Sequence, residues 1–423
     1  MSVYTLQELV DYARENSPFY KKYYTGVPKK ISDISDIPVM DQDLFWSRGR
    51  GFDSDVLTQR EPCGIIFKSG GTTGQPRFSI FTDDEWQTFC RAFGWGMSHG
   101  AVKSGDRVAN IFYAGDLYAS FLFIMRSMEL SGLNLLQVPL GKSVGTAQIV
   151  SSVDEFSVNV IAGVPTTVIQ IADNILRNGK TLENVDRIIF GGEPMYPDQR
   201  LIVSKAFPNA LIRSIGCASV DGGLIGYADD LCGFDEHIPF ARETIMEIVD
   251  VETGKPIEET DRTGRLLITN LTRKLMPIIR YPSGDMALWS QYQKDGPRKF
   301  ILQGRSEEGA RIAGATVYYD NVRHILSRMS DILSLSAFQL LLSHHGKKDQ
   351  LTVQIACELK KSQDGVKKIL TDEFYQERPM LKDLIGAGMI HPLNFSFIPA
   401  DRIEVNPRTG KIKRVIDLRS QVN

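Results

Sequence analysis

Two short stretches hold most of the chemistry that the residue types allow. Between Lys68 and Arg77 runs KSGGTTGQPR, in which Ser69, Gly70, Gly71, Thr72, Thr73 and Gly74 sit between two bases. Glycine permits positive φ and lets backbone approach a ligand closely. Successive N–H groups can then line an anion nest, with three hydroxyls and two flanking cations to complete it, a composition suited to a polyphosphate. The same residues also make a tight turn whose hydroxyls satisfy its own backbone. A Walker A loop is excluded, because that motif needs a lysine directly after its last glycine and here Gln75-Pro76 follows Gly74. Towards the other end, NPRTGKIKR sets Lys411 just after a turn-forming Asn-Pro-Arg-Thr-Gly that aims the side chain. A cation held there can stabilise charge building on phosphate or carboxylate oxygens. A solvated lysine on a basic strand is the alternative.

Such residues need a scaffold, and the pattern from about residue 105 supplies one. RVANIF, LNLLQVPL, VNVIAGV, RIIFGG and ALIRSIG are short apolar runs, separated by segments of helical periodicity such as Thr146–Phe156 and Pro165–Leu176. Runs of this kind alternating with helices predict a mainly parallel sheet with helices on its faces. Ligands of such sheets bind outside the carboxyl ends of the strands. VPTT, GGEP and IGCASVDGG follow strands directly and are placed at that edge. So are Phe112, Tyr113 and Tyr118 after the first run, and Gly163 and Pro165 after the third. Their aromatic rings suit a flat apolar ligand and equally suit a core.

Before this region, Thr5 with Glu8 predicts a capped helix with Leu6, Leu9, Val10 and Ala13 at helical spacing. The following prolines and Asp-Ile steps predict short pieces strapped across a surface. After residue 240 the pattern turns β-rich: ETIMEIVDVETGKPI reads as a hairpin and GRLLITNLT as a strand. Past Gly304 a smaller α/β unit follows, with a helix over Tyr319–Met329, strands in FQLLLSHHGKKDQLTVQIACE and a helix after Ser362. The expected division is therefore 1–303 and 304–423.

Bulk properties narrow the class. A chain of 423 residues needs more than one core. With a net charge of -2 and no basic run, neither a nucleic-acid platform nor a polybasic membrane anchor is indicated. Five scattered cysteines, Cys63, Cys90, Cys217, Cys232 and Cys357, form no CxxC pair and predict a reduced, cytoplasmic chain. The amphipathic N-terminus does not read as a signal peptide, and the longest apolar run stops at Arg126. Cys232 and His237 are two candidate zinc ligands where a structural site needs four.

Taken together, the motifs have a family resemblance. SGGTTGQPR resembles the phosphate loop of the adenylate-forming superfamily. GGEP, with Gly192, Glu193 and Pro194, resembles the segment against which adenine lies, and IGCAS, with Ile215 and Gly216, stands where the family has an aromatic-glycine motif. RYPSGD resembles the family's RYxTGD, which implies that Asp285 binds the ribose hydroxyls; a turn aspartate is the other reading of that residue. GRSEEGARIAG resembles the hinge, with Arg305 a second ribose or phosphate contact, Glu307 at the hinge acid's position and Arg311 in place of a lysine. NPRTGKIKR resembles the terminal motif, which makes Lys411 the catalytic lysine.

YARENSPFYKKYY, TRKLMPIIRYPSGD and LCGFDEHI resemble segments of the phenylacetate-CoA ligases and their relatives. That likeness implies an AMP-forming ligase with a large N-terminal domain and a smaller, mobile α/β C-terminal domain. It would use ATP, Mg²⁺ and coenzyme A on an aromatic carboxylic acid. It admits a carrier-protein thiol or reductase partner as acceptor, a homodimeric assembly, and a degenerate nucleotide-binding member. One departure stands out: Ser219 occupies the position of the family's Mg²⁺-binding glutamate. Asp221 can replace it as an oxygen ligand, or be a turn aspartate before Gly222-Gly223, with the ion then held by ATP phosphates and Thr73.

Overall fold

Continuous burial along short central strands sets the architecture of the computed structural model. It describes residues 3–49, 51–69, 77–115, 117–141, 144–192, 195, 197–291, 296–305, 309–399, 402–404 and 413–419. β1 (Gly64–Ser69) and β2 (Arg77–Thr82) pair antiparallel, with Ser69 opposite Arg77 at the end of the ladder. The roots of the glycine-rich segment are therefore two ends of one hairpin.

β3 (Arg107–Asn110), β4 (Leu136–Pro139), β5 (Val160–Gly163), β6 (Arg187–Phe190) and β7 (Leu211–Ser214) form an all-parallel sheet in the order β4-β3-β5-β6-β7. Val108, Val160, Ala162 and Ile189 pack towards one face, against Phe89, Phe93 and Met97 of the helix Asp83–Met97 and Phe123 of the helix Ser120–Glu129. Ala109, Ile161 and Ile188 pack towards the other, against the helices Thr146–Glu155, Pro165–Arg177 and Pro197–Ala206. Successive side chains of a strand point to opposite faces, so continuous apolar runs are what a sheet covered on both sides requires. The strand order reverses between β3 and β5, the topological switch point where such sheets bind ligands.

The β-rich part is a seven-stranded sheet: β8 (Cys217–Ser219), β9 (Gly223–Tyr227), β10 (Glu236–Pro239), β11 (Thr244–Val249), β12 (Gly264–Asn270), β13 (Tyr281–Trp289) and β14 (Phe300–Arg305), ordered β11-β12-β13-β14-β10-β9-β8. The expected hairpin over Glu243–Ile257 forms at its tip: Val249 bridges Pro256 antiparallel, Asp250 N–H donates to the Lys255 carbonyl at 2.8 Å and Ile257 N–H to the Ile248 carbonyl at 2.7 Å. Along its length β11 takes β12 as its ladder partner. Asp250 accepts from the N–H groups of Glu252 and Thr253 and makes the ETGKP stretch a turn.

At the N-terminus the capping box forms: Thr5 Oγ1 accepts from Glu8 N–H, and Glu8 Oε2 accepts from Thr5 N–H at 2.7 Å. The helix Leu6–Asn16 buries Leu9, Val10 and Ala13 against Leu271–Tyr281. Beyond residue 308, β15 (Gly309–Ile312) and β16 (Ala315–Tyr318) form a hairpin. β17 (Leu333–His345) and β18 (Lys348–Leu359) pair antiparallel, flanked in parallel by β20 (Val415–Asp417) and β19 (Asn394–Phe397). The helices Tyr319–Ser327, Gln363–Glu377 and Pro379–Gly386 close a core of their own with Phe338, Leu340, Val353 and Phe374. Among the described residues no helix is long and apolar enough to cross a membrane.

Candidate active site

The carboxyl ends of the parallel strands bring together segments far apart in sequence. After β6 come Gly191 and Gly192, the latter at φ 82°, and after β7 come Ile215 and Gly216, the latter at φ 107°. Ile215 donates its N–H to the Phe190 carbonyl at 2.8 Å. A Cβ on Gly191 would lie 2.7 Å from Ile215 Cγ2, so the two strand ends abut where only glycine fits. Ser214 Oγ accepts the Gly216 N–H at 3.1 Å and meets His237 Nε2 at 2.8 Å, fixing this turn to β10. Burial pulls the His237 pKa down to about 4, so the ring is neutral at neutral pH. Its ring is thus engaged by a serine. Among the described residues no group of three or more His, Cys, Asp or Glu could hold a metal ion.

Asp285 lies on β13 opposite Arg305 of β14 and takes its N–H to Ser283 Oγ at 3.2 Å. It lies near Cys217, the residue after Gly216. Burial first, and the Asp285 carboxylate second, push the Cys217 thiol upward. β13 is held there by Arg280, whose guanidinium grips Glu247 in a bidentate pair at 2.8 and 3.1 Å and donates to the Ile37 carbonyl at 2.6 Å.

The aromatic segment after β3 divides in two. Phe112 is 3% exposed and belongs to the buried cluster with Phe89, Phe93 and Phe123. Tyr113 and Tyr118 are 45% and 48% exposed, with ring centroids 5.7 Å apart, edge to face. They flank the switch point with Gly163 and Pro165. A Cβ on Gly163 would lie 2.6 Å from Ile111, which leaves no room for a side chain. Leu117, at φ 59°, gives its carbonyl to the Lys68 N–H at 2.9 Å, tying the aromatic segment to the root of the glycine-rich segment.

That root has a second tie, which the sequence did not show. Ser69 Oγ donates to the Asp221 carboxylate, 2.9 Å from Oδ1 and 3.0 Å from Oδ2, and Ser79 Oγ donates to Oδ1 at 3.0 Å. Beneath it, Arg273 is buried, donates to the carbonyls of Asp221 at 3.1 Å and Ile80 at 2.9 Å, and stacks over Phe81. Burial lowers its pKa to about 10. The serines are ten residues apart and the aspartate lies more than 140 residues further on, so no local pattern could have signalled the cluster. Tested as a cation site, this carboxylate fits poorly, because both oxygens already accept hydroxyl groups and Ser219 supplies no second acid.

From the C-terminal unit, the Arg311 guanidinium donates to the Gly192 carbonyl and Lys347 pairs with Asp173. Gly70, Gly71, Thr72, Thr73, Gly74, Glu193, Pro194, Glu307 and Lys411 lie outside the described residues.

The chain is similar to known proteins in sequence and in fold. The model of the AMP-binding enzyme family covers residues 20–272, more than half of the chain. A phenylacetate-coenzyme A ligase of Thermus thermophilus is 23% identical over 98% of this chain and 95% of its own length. An indoleacetate–lysine synthetase of Pseudomonas savastanoi is 27% identical over 70% of this chain and 71% of its own. In three dimensions the chain resembles 2-hydroxyisobutyryl-CoA ligase, solved with 2-HIB-AMP and CoA in the thioesterification state. The TM-score is 0.76 at 18% identity, covering 97% of this chain and 88% of that one.

Proposed function

This chain belongs to the AMP-binding enzyme family, and on that premise we propose that it is an AMP-forming acid–CoA ligase acting on an aromatic carboxylic acid. MgATP is one substrate. A carboxylate oxygen attacks the α-phosphorus, the bond to pyrophosphate breaks, and an acyl-adenylate forms. The thiol of coenzyme A then attacks the acyl carbon, and AMP leaves. The first step sets anion against anion, so positioning and charge neutralisation are what the protein must supply.

In this reading Ser69 and residues 70–74 wrap the β- and γ-phosphates, and Lys68 and Arg77 bias that pocket towards anions. Adenine lies along Gly192, Glu193 and Pro194 and against Ile215-Gly216. Asp285 accepts the ribose hydroxyls, which a fixed carboxylate does well, and Arg305 adds a second contact. The acid sits at the switch point between Tyr113, Tyr118, Gly163 and Pro165. Lys411 bridges carboxylate and phosphate oxygens as charge builds. The chain acts as two domains, 1–303 and 304–423, with Glu307 at the hinge, and it works in the cytoplasm, where both cosubstrates are found.

The observation that supports this reading most is that Gly192, Ile215 and Gly216 follow β6 and β7 at the carboxyl edge of a parallel sheet in a family member, with Ser69 tied through Asp221 to the turn after β8. It is tested by carboxylate-dependent exchange of labelled pyrophosphate into ATP. Exchange driven by aryl acids such as phenylacetate, followed by thioester formation when coenzyme A is added, is the expected result. Binding of ATP with no exchange for any aryl or aliphatic acid would reduce the protein to a nucleotide binder.

A further inference from the structure

We propose that Asp221 is a positioning residue that clasps the two roots of the glycine-rich segment, and that it is not a metal ligand. The inference rests on the reading of that segment as the ATP phosphate site. Ser69 is the last residue of β1, and Ser79 is the third of β2. Both hydroxyls point at one carboxylate, presented by the turn between β8 and β9. Ser79 is 0% exposed, so its hydroxyl has no water to turn to.

The turn itself is fixed from both sides. Ser219 Oγ accepts the Gly222 N–H at 2.8 Å, and Arg273 donates to the Asp221 carbonyl. The same arginine donates to the Ile80 carbonyl of β2, so carboxylate and hairpin share one buried anchor. β8 follows Gly216 directly, which makes Asp221 the link between the phosphate root and the segment proposed for adenine. A hydrogen bond to an ionised acceptor is stronger than a neutral one and fixes geometry accordingly. Phosphate N–H donors work only when pre-aligned, so the clasp acts on ATP through Ser69 and Ser79 without touching it.

The test measures ATP affinity by calorimetry, and pyrophosphate exchange with ATP and free Mg²⁺ varied independently, for the wild type, Asp221→Ala, Asp221→Asn, Ser79→Ala and the double variant Asp221→Ala with Ser79→Ala. Asp221→Ala should weaken ATP binding about tenfold and change kcat far less, as expected for losing two charge-assisted contacts that pre-align a site. Asparagine keeps an acceptor for both serines and should recover affinity to within about threefold of the wild type. Ser79→Ala should give a smaller loss that adds nothing in the Asp221→Ala background. The Mg²⁺ concentration for half-maximal exchange should be the same throughout.

A metal ligand would behave otherwise, with Asn and Ala both raising the Mg²⁺ requirement, and that outcome overturns the proposal. So does wild-type ATP affinity in Asp221→Ala. If Asp221→Ala fails to fold, Asp221→Asn and Ser79→Ala decide alone: a raised Mg²⁺ requirement in the first, or unchanged ATP affinity in the second, overturns the clasp. A wild type that binds no ATP at all sinks the parent reading, and the clasp with it. Wild-type binding with an indifferent Asp221→Ala sinks only the clasp.

Discussion

Lys411→Ala is expected to slow carboxylate-dependent pyrophosphate exchange by about a thousandfold, the loss of about 4 kcal/mol of transition-state stabilisation. The reason is the collision of two anions. As the carboxylate approaches the α-phosphate, negative charge concentrates on oxygens that no hydroxyl or N–H can fully compensate, and in the proposed role the Lys411 cation does so at the moment of reaction. Lysines are seldom part of a core, so the urea midpoint should stay at the wild-type value. ATP affinity should also change little, because in the proposed role the lysine acts in the transition state rather than in the ground-state complex. The second step attacks an acyl carbon and brings no such pair of anions together. Thioester formation from chemically supplied acyl-adenylate should therefore survive the substitution. Exchange retained within tenfold of the wild type would remove Lys411 from the proposed role.

The second large effect concerns stability. Arg280→Ala should lower the free energy of unfolding by about 3–5 kcal/mol, read from urea curves with an unchanged slope. Arg280 and Glu247 are 4% and 8% exposed and form a bidentate pair. Burial holds the Glu247 carboxyl above its ordinary pKa even with the guanidinium beside it. Without the arginine that carboxylate is buried and uncompensated, and the Ile37 carbonyl loses its donor. A loss of this size is a large share of the about 5–15 kcal/mol that holds a typical domain together. Replacing both partners with apolar residues, Arg280→Met with Glu247→Leu, should recover more than half of the loss, since the cost lies in breaking the pair rather than in lacking it. A single-variant loss under about 1 kcal/mol would contradict this account of β13, the strand that carries Asp285.

How far the sequence reaches can be judged from particular elements. β3 to β7 were legible because a sheet covered on both faces demands continuous apolar runs, and VIAG and RIIF are fully buried. The helix after Ser362 and the capping box at Thr5 were legible because their signals are local. The partner of β11 was not. An antiparallel strand can pair with any neighbour of suitable pattern, and the short hairpin that turns at Asp250 says nothing of β12, which takes the whole ladder. Aromatic residues after β3 showed the same limit: Phe112 and Tyr113 are adjacent, yet one is core and the other is half exposed. Within the site, the glycine-rich segment and RYPSGD were readable as motifs, while Ser79 and Glu247 carry no motif, and Arg273, inside TRKLMPIIRYPSGD, gave no sign of its partners. Their roles come from contacts between 33 and 193 residues apart in the chain, which only packing creates.

The account stands on where the nucleotide lies. A crystal structure of the protein with ATP and phenylacetate is the most direct measurement. It should show the adenylate or its precursor along the carboxyl edge of β3 to β7, with phosphates beside Ser69, adenine by Gly192 and Ile215, and ribose hydroxyls on Asp285. Nucleotide density remote from Ser69 and Asp285 would contradict the proposed chemistry from its first step.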